Sequence, residues 1–477
     1  MAGDRLTGLD ASFLHLEDSS AHMHVASVML FEGPPPAYDE LIAAFRRRLP
    51  LVPHYRQRLA FVPLGQGRPK WVDDPHFNLR YHLRYTALPS PGSEEQLKIL
   101  AGRVFAQQLD RDKPLWETWL AEGVEGDRFA ILAKTHHALV DGISGMDIVS
   151  VLFDTSPEPA APTDPGDRWL PRPLPSRAQL LGEALVERAT MPAEAVRSVR
   201  ALFRGPRRVI GRVRDAAVGV GAMAWAGLNP APASPYNHSI GPHRRFTWVR
   251  MDLRDVKAIK NSLGGTVNDV VLATVAGGLG HHLRRRGQST DGLELKAMVP
   301  VSVRTDIERG ALGNRVAAMM APLPVWCQEP VARLDIVREQ MKGLKSGGQA
   351  VGAQVLTELT GFAPPTIMGQ AARLSSRQRF FNLVVTNVPG PQFPLYLLGR
   401  RMLETFPMVP LAKNQGLGVA LLSYDGSINF GLIGDYDLLW DLEDVAADVR
   451  RSLEELAGAA GVELTPADVP RAAAVRT

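Results

Sequence analysis

The chain has one cysteine, Cys327, among its 477 residues, so no disulfide can form within it. A reducing compartment fits this composition. Long hydrophobic runs are lacking as well: the uncharged run 216–228 is rich in glycine and alanine and falls short of the about 20 apolar residues that span a bilayer. The polar start, 1–10, is followed by no apolar segment typical of a signal peptide. We therefore expect a cytoplasmic protein that is not integral to a membrane.

The chain also lacks a large excess of positive or negative charge. The sequence has 54 Lys and Arg against 50 Asp and Glu, a net charge of +4. Charge this weak does not favour a nucleic-acid partner, and we expect none. The 45% hydrophobic and 22% charged residues are typical of a globular protein, and the length exceeds one ordinary core. We expect two domains.

Two proline-rich stretches, 156–177 and 228–242, favour extended, exposed backbone. They predict an N-terminal domain at 1–155, an inter-domain segment at 156–242 and a C-terminal domain at 243–477. Within the segment, Val196–Arg214 has many cations and no acidic residue. Its cations are Arg197, Arg200, Arg204, Arg207, Arg208, Arg212 and Arg214. A solvated connector, a contact with a membrane or lipid-droplet surface, and a nucleic-acid contact are all open for this stretch.

Strand and helix patterns alternate in both halves, which is typical of an α/β protein. Thr266 is predicted to cap a helix over 267–286. Further helices are predicted over 38–49 and 94–108. Strands are predicted over 25–31, 128–134, 245–252, 295–301, 316–323, 383–386, 417–424 and 427–432.

The clearest chemical motif is His136-His137-Ala138-Leu139-Val140-Asp141-Gly142, directly after the apolar strand 128–134. A polar cluster at the end of a buried strand lies at a sheet edge, where a cleft forms. Imidazole there is suited to taking a hydroxyl proton at neutral pH. Asp141, four residues after His137, is placed to brace the loop, and Gly142 allows a sharp turn.

Three alternatives compete with this interpretation. Two histidines and Asp141 are possible metal ligands, although no further histidine or carboxylate follows closely. A serine hydrolase acting through Ser144 lacks the usual G-x-S-x-G turn. A purely structural histidine pair is the third.

Further recognisable segments lie along nearly the whole chain. Together with the histidine motif they are Leu6–Leu14, Met23–Val25, Pro114–Trp116, His136–Gly142, Asn268–Ala273, Pro300–Arg304, Gly313–Asn314, Asn387–Pro391 and Ser423–Gly426. The histidine motif by itself is also found in chloramphenicol acetyltransferase-like enzymes and peptide-synthetase condensation domains. The full set, in this order, resembles the bacterial wax ester synthase/diacylglycerol acyltransferase family.

This resemblance implies two chloramphenicol-acetyltransferase-like domains, each a mixed sheet flanked by helices, with an active-site tunnel between them. It implies acyl transfer from acyl-CoA, a cosubstrate, to diacylglycerol or a long-chain alcohol, with His137 as general base and no cofactor or metal. The substrates imply peripheral contact with a membrane or lipid droplet. Open alternatives are a condensation-like acyltransferase on another hydroxyl or amine, a glycerol-phosphate acyltransferase using His136 and Asp141, and a non-catalytic droplet-surface protein.

Other residues are assigned by the same resemblance. Arg56 and Arg304 are the candidate partners of Asp141, which needs a cation if it is buried. Asn268 and Asp269 are expected to position substrate, with helix capping as the alternative. Trp116 is expected to be either a substrate wall or a core anchor. His136 is expected to support the site from inside, and His281-His282 to form a cationic helix end.

Overall fold

The computed structural model describes residues 5–140, 152–158, 169–187, 189, 230–302, 316–346 and 379–466. The strands are β1 His24–Glu32, β2 Gln57–Ala60, β3 Lys70–Asp73, β4 Leu83–Ala87, β5 Trp116–Val124, β6 Arg128–His136, β7 Arg244–Asp252, β8 Glu294–Ser302, β9 Val316–Pro324, β10 Leu383–Pro389, β11 Tyr396–Leu397, β12 Arg400–Met408, β13 Leu417–Tyr424 and β14 Ser427–Asp435. The helices are α1 Gly8–Leu16, α2 Tyr38–Arg48, α3 Leu79–His82, α4 Glu94–Phe105, α5 His137–Val140, α6 177–187, α7 Leu253–Leu263, α8 Val267–Arg285, α9 Pro330–Ser346 and α10 Leu442–Ala460.

The first sheet has the strand order β11-β12-β1-β6-β5-β4. Its central pair, β1 and β6, is antiparallel over nine positions, from His24 opposite His136 to Glu32 opposite Arg128. Because successive strand residues point to opposite faces, α2 covers one face of this pair and α4 the other. Strand β6 therefore lies between two helices, one on each face of the sheet.

The second sheet has the order β7-β14-β13-β10-β8-β9, with β10 parallel to both of its neighbours. Helices α8 and α10 pack together on it and share its apolar core. Helix α8 begins at the predicted cap, Thr266, whose hydroxyl accepts from the Asp269 N–H at 3.2 Å. The α/β class and the two mixed, helix-flanked sheets agree with the fold predicted from the sequence.

Strand β12 crosses between the two halves of the chain. It pairs antiparallel with β1 of the first sheet, although it lies far beyond the predicted boundary at 243. At the crossing a Cβ on Gly431 of β14 would lie 1.8 Å from the Pro407 carbonyl oxygen, so only glycine fits there. The segment 396–408 falls within the predicted C-terminal domain, 243–477. In the structure it completes the N-terminal sheet and covers the otherwise open edge of β1.

Candidate active site

The two motif histidines lie at the end of β6. The strand pairing continues one residue past His136, because the His137 N–H donates to the Met23 carbonyl at 2.8 Å. Helix α5 begins at His137. The half-buried imidazole of His137 is stacked on the Phe13 ring, with centroids 4.0 Å apart and planes 18° from parallel. The histidine predicted as the base is thus held between a strand end and a helix.

Helix α1 supplies that stacking partner. Its start is fixed by a capping box, in which the Thr7 hydroxyl accepts from the Asp10 N–H and the Asp10 carboxylate accepts from the Thr7 N–H. One turn beyond Phe13 the helix ends at Glu17. The same short helix therefore presents Phe13 to His137 and Glu17 to the neighbouring histidine.

His136 is buried and holds the start of helix α5 in place. Its Nδ1 accepts a hydrogen bond from the Ala138 N–H at 3.1 Å, which requires Nδ1 to be unprotonated. Its Nε2 lies 3.7 Å from Glu17. Burial lowers the pKa of His136, against the opposing influence of Glu17. The hydrogen bond from Ala138 to the His136 ring fixes the backbone just after His137.

Glu17 is the anion at the centre of this support. Its carboxylate accepts from Arg111 Nε at 2.9 Å and from the Met23 N–H at 3.2 Å. Burial alone would raise the pKa of Glu17, but His136 and Arg111 outweigh it and hold the pKa at about 2. The ion pair ties α1 to the strand ends on either side of the histidines.

The two faces of β6 differ in chemistry. On the even-numbered face, buried Lys134 donates to the Gln107 carbonyl at 2.8 Å and lies 3.4 Å from Glu117. The odd-numbered face borders a cavity of about 150 Å³. Its floor is formed by Ile131, Ala133 and Thr135 and by their β1 partners Met29, Ser27 and Val25. Lys134 is thus tied into the structure on the even-numbered face, whereas part of the packed odd-numbered face borders a cavity.

Trp116 is packed as a core residue, which is one of the two roles expected of it from the sequence. Its side chain is 1% exposed, and its indole N–H donates to the Tyr55 carbonyl at 2.9 Å. His82 stacks on it with centroids 4.7 Å apart. Since the polar atom is satisfied and both flanks are packed, this tryptophan anchors β5 against the N-terminal core.

Asn268 and Asp269 lie in the first turn of α8. Asp269 Oδ2 accepts from the backbone N–H and the hydroxyl of Thr266, each at 2.8 Å, so this residue completes a capping box with the N-cap Thr266. Its Oδ1 is buried and has no hydrogen-bond partner among the described residues. Asn268 is half-buried.

Arg56 lies at the end of a short 3₁₀ turn, with its guanidinium carbon 4.6 Å from the centre of the Trp169 ring. Burial lowers its pKa, and Asp73 opposes that shift.

The predicted partner of Arg56, Asp141, lies outside the described residues. So do Gly142, Ser144, Arg304 and Val196–Arg214.

His282, which was predicted to form a cationic helix end together with His281, lies inside the protein. That imidazole is fully buried, 2.8 Å from the Tyr236 hydroxyl and 3.0 Å from Asp441. Burial lowers its pKa, with Asp441 opposing. His282 therefore contributes to the α8–α10 packing through this hydrogen-bonded network.

The predicted site residues fall into separate groups. The structure brings His137 and His136 together at the strand end, with Phe13, Glu17 and Arg111 as additional members that the sequence did not single out. Phe13 lies inside a recognised motif, but no spacing signal linked it to His137. Nothing in the local sequence marked Glu17 or Arg111 as partners, because they are far from the histidines along the chain.

The architecture of the two sheets is found in solved structures. The first condensation domain of the calcium-dependent antibiotic synthetase matches 98% of this chain and 98% of its own, at 15% identity and a TM-score of 0.57. That likeness defines the fold as chloramphenicol-acetyltransferase-like. The wax ester synthase/diacylglycerol acyltransferase of Marinobacter aquaeolei VT8 matches 96% of this chain and 100% of its own, at 28% identity and a TM-score of 0.67.

The chain belongs to the wax ester synthase/diacylglycerol acyltransferase family. The family's catalytic domain matches residues 6–271 and its C-terminal domain residues 312–457. A probable diacylglycerol O-acyltransferase of Mycobacterium tuberculosis, tgs1, is 34% identical over 95% of this chain and 96% of its own. A second from the same organism, tgs2, is 32% identical over 95% of this chain and 98% of its own.

Proposed function

We propose that this chain transfers a long-chain acyl group from acyl-CoA to diacylglycerol, a long-chain alcohol, or both. The observation that carries the proposal is the full-length similarity to proteins named diacylglycerol O-acyltransferases. The position of His137, at the end of β6 and stacked on Phe13, supports the same reaction.

In the proposed mechanism His137 removes the proton of the acceptor hydroxyl as its oxygen attacks the thioester carbonyl. The new C–O bond forms, the C–S bond breaks, and the proton passes from His137 to the CoA thiolate. This sequence needs no covalent enzyme intermediate and no cofactor besides the acyl-CoA cosubstrate. The stack on Phe13 holds the ring in place before either substrate arrives.

Other residues are assigned supporting roles. His136 positions the loop through the Ala138 N–H, and Gly142 lets the chain turn after Asp141. Asp141 braces that loop against Arg56 or Arg304. Asn268 and Asp269 position substrate, and the buried Asp269 Oδ1 without a described partner supports this assignment.

The proposed substrates are insoluble, so we also propose peripheral contact with a membrane or lipid-droplet surface. Within the described ranges, none of the helices combines the length and apolarity needed to traverse a bilayer. The loop between β2 and β3 presents Leu64 with 85% of its surface exposed. Beside it α6 exposes Leu185 and Val186, tied to the loop by the Arg68–Glu187 ion pair at 2.8 Å. In sequence, α6 precedes the arginine-rich stretch 196–214.

A paired assay tests the proposed function. Hexadecanol and diacylglycerol are offered with one labelled palmitoyl-CoA, and both CoA release and labelled ester are measured. We expect ester from at least one acceptor, with stoichiometric CoA. Release only with an amine acceptor would instead favour a condensation-like reaction. No release with any acceptor would favour a non-catalytic lipid-surface protein.

A further inference from the structure

The turn 17–23, between α1 and β1, contacts both motif histidines. Its last residue, Met23, accepts the hydrogen bond from the His137 N–H at 2.8 Å. Its first residue, Glu17, lies 3.7 Å from the buried imidazole of His136. The backbone position of the proposed base therefore depends on where this turn lies.

Hydrogen bonds inside the turn tie its residues together. Asp18 Oδ1 accepts from the backbone N–H groups of Ser20 and Ala21, each at 2.8 Å. The Asp18 N–H donates in return to the Ala21 carbonyl at 2.9 Å. The Met23 N–H donates to the Glu17 carboxylate at 3.2 Å. Because hydrogen bonds link the residues on both sides of Ser20, a displacement of Ser20 should move Met23 as well.

The second sheet holds this turn through Arg244, the first residue of β7. Its guanidinium donates to the Ser20 carbonyl, and also to the carbonyls of Gly241 at 2.6 Å and His243 at 2.8 Å. The side chain is 4% exposed and lies 3.7 Å from Asp435. A guanidinium suits this position, because its fixed fork of donors reaches several carbonyls at once. Arg244 therefore links the second sheet to the turn that holds the proposed base.

We propose that Arg244 is a positioning residue, which holds His137 in place for catalysis by way of Ser20 and the turn 17–23. The inference rests on the proposed role of His137 as general base and adds a contribution of the second sheet to that role. Arg244 acts through the turn and needs no contact with substrate. Its loss should misplace the base, and small displacements of a catalytic group reduce the rate strongly.

A second arginine of β7 provides a matched control. Arg250 donates to Glu94 of α4 at 2.8 and 3.0 Å and to Glu404 of β12 at 2.6 and 3.0 Å. Like Arg244, it joins β7 to the first half of the chain. Among the described residues, the ion pairs of Arg250 do not include the turn 17–23. Loss of Arg250 therefore weakens the contact between β7 and the first half without loosening the turn.

The first test compares Arg244→Gln and the milder Arg244→Lys with Arg250→Gln, in melting temperature and in steady-state kinetics with palmitoyl-CoA. Arg244→Lys keeps a cation beside Asp435, which limits the loss of stability, but lacks the fork of donors. We expect both Arg244 variants to lose about 10- to 100-fold in kcat with KM changed by less than about threefold. Arg250→Gln should also lower the melting temperature but keep kcat within about twofold of wild type. Equal kcat in folded Arg244→Lys and Arg250→Gln would overturn the inference.

Amide hydrogen exchange separates this inference from the proposed reaction, because it needs no turnover. Exchange at His137 reports on the hydrogen bond from its N–H to Met23. In Arg244→Lys this exchange should be faster than in wild type by about tenfold or more, whereas in Arg250→Gln it should stay close to wild type. Exchange at His137 that is the same in Arg244→Lys and wild type would contradict the positioning role. A wild type that releases no CoA, but whose exchange at His137 depends on Arg244, would support the positioning contact while contradicting the reaction.

Discussion

The imidazole of His137 lies on the phenyl ring of Phe13, with centroids 4.0 Å apart and planes 18° from parallel. These residues are distant along the chain and meet because α1 packs against α5. An imidazole held on one face by an aromatic ring has fewer orientations to lose when substrate binds. In the proposed mechanism, helix α1 therefore positions the general base.

Replacing Phe13 by alanine should therefore reduce kcat more than it alters KM. We expect a loss of about 10- to 100-fold, because small misplacements of a catalytic group are costly. Steady-state kinetics with saturating palmitoyl-CoA would measure it. The control is Ile99→Ala, which truncates an exposed apolar side chain on α4. A Phe13→Ala variant with unchanged kcat would show that the stack has no positioning role.

Glu17→Gln tests the buried support behind the histidines. In the folded protein the pKa of Glu17 is about 2, below the usual value of 4.5. Its stabilisation is therefore complete above pH 4.5 and is lost as the pH falls toward 2. We expect the variant to be less stable by about 3 kcal/mol at pH 7, with the difference shrinking below pH 4.5.

Urea unfolding at pH 7 and at pH 3.5 measures this difference. Glu125→Gln, at an exposed turn, is the matched control and should change little. A destabilisation of Glu17→Gln that is the same at both pH values would contradict the ion-pair explanation.

Asp141 is predicted to brace the loop after His137 through an arginine. Asp141→Ala should lower both melting temperature and rate, because it leaves a buried cation without its partner, and Asp141→Asn should do less damage. A double-mutant cycle with Arg56→Ala identifies the partner, since coupled residues deviate from additivity. Should both Asp141 variants melt like wild type while activity disappears, Asp141 acts in catalysis and not in bracing.

Peripheral membrane contact is predicted to depend on the arginines of 196–214. Each cation near an anionic surface contributes about 1 kcal/mol, so binding to anionic vesicles should weaken as salt rises. Replacing Arg204, Arg207, Arg208 and Arg212 by glutamine should abolish most vesicle sedimentation and spare activity on detergent-dispersed substrate. If the quadruple variant sediments like wild type, the segment is a connector only.

Local patterns in the sequence predicted much of the fold. The apolar runs that became β1, β6, β13 and β14 are set by alternation and burial, and α8 begins at its predicted cap. The placement of β12 could not be predicted, because its partner β1 lies in the other half of the chain. Pairing between distant strands depends on the assembled sheet and leaves no local signal.

The same distinction applies to the candidate site. The histidine motif marked His136 and His137, since both lie within one short segment. Glu17 and Phe13 act on them through tertiary contacts that sequence spacing does not encode. The motif left Trp116 open as a substrate wall or a core anchor, and its burial and its hydrogen bond to Tyr55 favour the core role. A motif identifies residue types, whereas the packing around each residue decides its role.

The most direct test of the account is the rate of CoA release by His137→Ala. Loss of a general base typically costs about 10²–10⁴ in rate, so kcat for palmitoyl-CoA with hexadecanol or diacylglycerol should fall within that range. The variant should keep the melting temperature of the wild type within a few degrees, because the ring is only half-buried. A well-folded His137→Ala variant with activity within about tenfold of wild type would contradict His137 as the base.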